Sequence, residues 1–200
     1  MELTSPPDCE PDSLPIAPTT LLPVERTEGV TASERYLQSL CDRSFLTLWS
    51  YSGIYNDHIG KTTGKGGDGK EVCDLLVVFQ EHILIFSDKA CGFPDSGNLD
   101  LDWSRWFRRA VQKSADQVYG AERWIKAHPD RLFTDRKCLQ KFPIELPPPD
   151  KAVFHRIVVA HDGAHRCRRE VGGSGSLMIA PDIIGGNIVR HSASLDAPSL

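Results

Sequence analysis

Asp74 and Lys89 mark the part of this chain best suited to chemistry. They lie in two apolar runs, Val72-Cys73-Asp74-Leu75-Leu76-Val77-Val78-Phe79 and His82-Ile83-Leu84-Ile85-Phe86-Ser87-Asp88-Lys89, separated only by Gln80-Glu81. Runs of this length, rich in Val, Ile, Leu and Phe, predict adjacent strands over roughly 71 to 79 and 82 to 89. An acid near the start of one strand and a lysine at the end of the next meet at one sheet edge, where a metal-dependent phosphodiesterase would need them.

The pairing can be worked out from the turn. If Gln80-Glu81 is a two-residue loop, Phe79 faces His82, Asp74 faces Ser87 and Val72 faces Lys89. Paired residues share a face and side chains alternate along a strand, so Asp74, Ser87 and Lys89 fall on one side. A loop one residue longer sends Asp74 to the other side. Asp88, the nearest further acid, points to the face opposite Ser87 and Lys89 in a regular strand.

Other elements must hold this hairpin in place. Residues 1 to 30 carry six of the 14 prolines without periodicity and predict a disordered lead. Thr31-Ala-Ser-Glu34 fits a capping box, and Leu37, Leu40, Cys41, Phe45, Leu48 and Trp49 predict an amphipathic helix ending near Ser50. Residues 53 to 70 read as a loop. Both hairpin strands are apolar on both faces, which predicts central strands covered by helices on each side. A second loop over 91 to 101 leads to Asp102, a plausible cap for a long helix closed by Pro129. A proline-rich connector over 143 to 149 precedes a third strand over 153 to 160. A short fourth strand is expected near 176 to 179, and the last twenty residues read as a flexible tail or a truncated end.

Bulk properties narrow the classes. With 200 residues, 40% hydrophobic and 25% charged, the chain suits a single α/β domain with tails. No apolar run approaches the roughly 18 residues of a membrane helix, and the N-terminus lacks a basic start and an apolar signal core; no membrane partner and a cytoplasmic location are expected. A net charge of −4 excludes a uniformly basic nucleic-acid binder but permits a local basic patch. The six cysteines are scattered and read as reduced thiols.

Three apparent motifs fail on inspection. Gly60-Lys61-Thr62 lacks the earlier glycine of a phosphate loop, because that place holds Tyr55. Gly172-Gly173-Ser174-Gly175-Ser176 ends on serine where a nucleophile elbow needs glycine, and reads as a flexible turn. His161, His165 and Cys167, with His155 upstream, fit no tetrahedral zinc spacing; a polar surface loop is expected, and zinc binding remains an alternative.

An acid in one strand followed by an x-x-Lys element in the next resembles the PD-(D/E)XK nuclease superfamily. The resemblance implies a restriction-endonuclease-like core, a central mixed sheet flanked by helices, acting as a magnesium-dependent nuclease on DNA or RNA. By that match Asp74 is the first acid and binds magnesium, and Lys89 activates or positions the attacking water. The second acid's place is taken by Ser87, a neutral hydroxyl and a poor ligand for a hard cation. Glu34 or Asp68 could supply the missing carboxylate, although Glu34 also suits capping its own helix. Gln117-Val-Tyr-Gly-Ala resembles the glutamine motif on the helix after the lysine strand, making Gln117 a supporting residue. Arg105, Arg109 and Lys113 recur every four residues and form a stripe suited to phosphate contacts. The strings Leu48-Trp49-Ser50-Tyr51, Gly69 to Asp74, Ile85 to Lys89 and Asp102 to Trp106 also resemble an uncharacterised bacterial protein family, over about residues 31 to 180. The alternative to an enzyme is a non-catalytic module of the same fold that binds nucleic acid or protein.

Overall fold

Helix α1, Ala32–Phe45, begins at a reciprocal cap. The Glu34 amide donates to Thr31 Oγ1 at 3.2 Å, while Glu34 Oε2 accepts from the amides of Thr31 and Val30 at 3.2 and 2.7 Å. Three backbone donors at the start of the helix are thereby satisfied. Thr31→Ala is expected to lower stability by about 1 kcal/mol, read from the urea midpoint; an unchanged midpoint would show that the cap contributes nothing. The computed structural model describes residues 26–45, 47–58 and 68–172. The expected strand at 176 to 179, the tail and most of the lead lie outside the described residues.

The helix stops at Phe45, earlier than expected, and strand β1, Ser50–Asn56, occupies what the sequence reading assigned to the helix end and a loop. Its signal was an aromatic and β-branched run, Tyr51, Ile54 and Tyr55, broken by Gly53 and a bulge between Ile54 and Tyr55. Gly53 has φ +62, which explains why the strand reads like a turn. Residues 26–30, assigned above to the lead, sit against β1: Arg26 Nη1 donates to Ser50 O at 3.2 Å and Thr27 Oγ1 to Ser52 O at 2.8 Å.

Strands β2, Lys70–Phe79, and β3, His82–Lys89, form the expected hairpin, with Phe79 opposite His82 and Leu75 opposite Phe86. The four strands lie in the order β1-β2-β3-β4; β1, β2 and β3 are antiparallel neighbours, and β4, Val153–Ala160, runs parallel to β3. This is an α/β mixed sheet flanked by helices. One face packs Leu75, Val77 and Phe86 against Leu37 and Cys41 of α1. The other packs Val72, Leu76, Val78, Ile83 and Ile85 against Val118, Ala121 and Ile125, with Phe142, Ile144 and Leu146 of the connector closing over it.

A parallel neighbour needs a long crossover, and a helical arm supplies it. Helix α2, Leu99–Phe107, is capped by Asn98, whose side chain accepts from the Leu101 amide, so Asp102 is not the cap. Asp102 is buried instead and takes the Ser96 amide and hydroxyl at 2.9 and 2.6 Å. A π turn at Arg108–Gln112 joins α2 to helix α3, Lys113–Ala127. The buried positions Asp102, Trp106, Ala110, Ser114 and Val118 recur every four residues. In a regular α-helix that spacing would drift by roughly 160° from first to last; the wider π turn takes up much of the drift and keeps one face inward. Helix α4, Gly163–Val171, stands where a surface loop was expected. No helix among the described residues is long and apolar enough to cross a membrane.

Candidate active site

The β2–β3 ladder ends at the Leu75–Phe86 pair, and from there the Asp74 side chain takes over from backbone pairing. Its Oδ2 accepts the Asp88 amide at 2.5 Å, and neighbouring Ser87 also favours the charged carboxylate. Ser87 is fully buried and lies 3.1 Å from Gln117 Oε1, which brings the helix-borne glutamine onto the same cluster. Lys89 closes the group electrostatically, its charge favouring the Asp74 carboxylate. The two-residue turn and its register thus group Asp74, Ser87 and Lys89, as the sequence arithmetic required, and α3 brings Gln117 to them.

The site carries more negative charge than its cation offsets. Burial pushes the Asp74 carboxyl above its ordinary value, with Glu34 adding to the effect; the Asp88 amide, Lys89 and Ser87 pull the other way without prevailing. Partial burial likewise raises the Glu71 carboxyl, reinforced by Asp74 and Glu34 and opposed by Lys89 and Arg136. Glu71 is the residue that sequence reasoning missed. Its signal was present, since it stands at the start of β2 three positions before Asp74, but strand alternation alone places it on the other face.

A carboxyl raised on folding binds its proton more tightly in the folded state, so its contribution to stability is complete at low pH and is lost as pH rises through the folded value. Glu71→Gln is therefore expected to raise the unfolding temperature at pH 7, with the gain shrinking below about pH 4. A gain that is the same at both pH values would contradict this charge balance.

The remaining candidates divide. Glu34 is engaged in the α1 cap through Oε2, although its charge is felt at both Asp74 and Glu71. Asp68 pairs with Arg136 at 3.2 Å. Arg105, Arg109 and Lys113 are exposed, on the same four-residue spacing that leads to Gln117. Arg109 Nη2 reaches Gly92 O at 3.4 Å, just beyond the end of β3. Asp88 faces away from Asp74, as expected, and meets His161. His161 precedes α4 while His165 and Cys167 lie on it, and among the described residues no group of three or more His, Cys, Asp or Glu is disposed to hold a metal ion. Residues 60 to 62 lie outside the described residues.

The chain matches no known family model, no curated protein and no solved structure.

Proposed function

We propose that this chain is a magnesium-dependent nuclease that hydrolyses phosphodiester bonds of DNA or RNA on a restriction-endonuclease-like core. The observation that carries the reading is the convergence of Asp74, Lys89 and Gln117 at one end of the β2–β3 hairpin, with a second carboxylate, Glu71, in electrostatic contact with the first. The mixed sheet with helices on both faces supports the core assignment.

Asp74 and Glu71 are the residues that would hold magnesium. Two carboxylates suffice in kind, because this ion is commonly bound by one or two carboxylates together with waters and substrate phosphates. Their raised carboxyls are also the electrostatic condition that a divalent cation relieves. When bound, the ion supplies Lewis-acid polarisation of the phosphoryl group and of its bound water. Lys89 orients the attacking water, Gln117 steadies the site through Ser87, and Arg105, Arg109 and Lys113 take the phosphates of the flanking chain. The test is incubation of the purified chain with end-labelled single- and double-stranded DNA and RNA. Cleavage is expected with magnesium and none with excess chelator; intact substrate in every case would overturn the reading.

One observation favours the alternative, a non-catalytic nucleic-acid- or protein-binding module of the same fold. Ser87, where the superfamily has its second acid, is sealed from solvent and bonded to Gln117. On that reading binding to nucleic acid weakens with salt and is lost on Arg105→Glu with Arg109→Glu, while no condition yields cleavage.

A further inference from the structure

Two histidines meet at the end of β3 opposite Lys89. His82 opens β3 and His155 lies in β4, and the parallel register sets His82 opposite Val153 and Leu84 opposite His155. The two side chains are therefore diagonal neighbours on one face, and His82 Nδ1 lies 3.0 Å from His155 Nε2. The ring centroids are 5.2 Å apart, with the planes tilted by 41°. His155 is exposed and His82 half-buried, and neither ring has another hydrogen-bond partner among the described residues. Leu84 and Ile157, the next positions on the same face, pack against the core on the α1 side. The rings thus stand on a fixed ladder and stay open to solvent.

We propose that His82 and His155 form a binding site for a late first-row divalent metal ion, copper(II) ahead of nickel and zinc. An imidazole nitrogen sits about 2.0–2.1 Å from such an ion, so two nitrogens 3.0 Å apart subtend roughly 95° at the metal. That is close to the cis angle of a tetragonal copper or nickel centre, whereas a tetrahedral zinc ion would require the nitrogens to part to about 3.3 Å. Copper(II) also heads the affinity order for nitrogen donors. In the metal-free pair, the N–H of one ring faces the lone pair of the other. On binding, that ring's proton moves through solvent to its remote nitrogen, so both facing nitrogens present lone pairs and no net proton is released. Water fills the remaining coordination positions. Magnesium is not a ligand partner here, because it is a hard cation that takes oxygen. His82 and Lys89 are the two ends of β3, about 23 Å apart along the strand, so this site is separate from the Asp74 cluster and does not depend on the nuclease reading. In the strand order β4 neighbours only β3, and an ion bridging the two rings ties that edge to the sheet. The ion binds a pair that folding creates and stabilises the folded chain by mass action.

The first probe is copper(II) chloride alone, added below one equivalent to the full chain while the histidine ring signals are followed by NMR. Those of His82 and His155 are expected to broaden before those of the other histidines. In calorimetric titrations, His82→Ala and His155→Ala are each expected to weaken copper binding by about 10-fold or more, since even the outer-shell partners of metal ligands contribute that much. The double variant is expected to lose little beyond either single change, because each removes the same chelate. Saturating nickel(II), which spares the free cysteines from oxidation, is expected to raise the unfolding temperature of the wild-type chain by about 5 °C and that of neither variant. His82→Gln and His155→Gln serve if an alanine variant does not fold. Broadening that begins at other histidines, or an affinity unchanged in the folded variants, overturns the inference and leaves the contact as a hydrogen bond between neighbouring strands. Presence or absence of magnesium-dependent cleavage bears only on the nuclease reading.

Discussion

Asp74→Asn is expected to lose magnesium-dependent cleavage by ~10³-fold, equivalent to about 4 kcal/mol of barrier, while the chain stays folded. The asparagine keeps an oxygen for the Asp88 amide that Asp74 Oδ2 now accepts at 2.5 Å, and loses only the charge. Asp74→Ala removes both. It leaves the Asp88 amide unpaired in a buried position, so it is expected to lose the same activity and in addition about 1–3 kcal/mol of stability. The offsetting gain from removing a carboxyl that burial raises appears in both variants, so the difference between them isolates the hydrogen bond. Cleavage rates and urea midpoints for the pair separate chemistry from structure. Asparagine and wild-type chains that cleave equally would refute the role of Asp74, and equal midpoints for the two variants would refute the structural bond.

Trp106→Ala is expected to cost about 3–5 kcal/mol, the largest stability effect of any single change considered for this chain. Trp106 is 5% exposed, lies within 5.5 Å of the ring centroids of both Phe93 and Trp103, and donates to the His161 carbonyl. Its removal opens a cavity between α2 and the start of α4 and frees the backbone that carries His161. Trp106→Phe keeps much of the ring volume but not the indole donor, so it is expected to cost less. Calorimetric unfolding of the three chains measures this. A loss below about 1 kcal/mol for alanine would mean that α2 and α4 do not depend on each other for their packing.

The hairpin was legible because its information is local. Two apolar runs and a two-residue turn fix the register, and register dictates which side chains share a face. The capping box at Thr31 and Glu34 was legible for the same reason, since both partners lie within one helical turn. β1 was not legible: Gly53 and the bulge at Ile54 and Tyr55 break the alternation, and only pairing with β2 makes the segment a strand. Asp102 misled because a carboxylate before an apolar stripe resembles a cap, whereas Asn98 caps and Asp102 is drawn inward to satisfy Ser96.

By itself, the sequence determined the hairpin, its register, and hence the grouping of Asp74 with Ser87 and Lys89, because strand periodicity is set by backbone geometry over neighbouring residues. Only the tertiary structure decided which distant groups complete that end of the sheet. Gln117 arrives on a helix kept in phase by a π turn, the charge of Asp74 is felt at Glu71, Asp68 pairs with Arg136, and His161 is brought to Asp88 by the parallel pairing of β4 with β3. These contacts depend on crossover, splay and packing between elements far apart in the chain, and no local spacing encodes them.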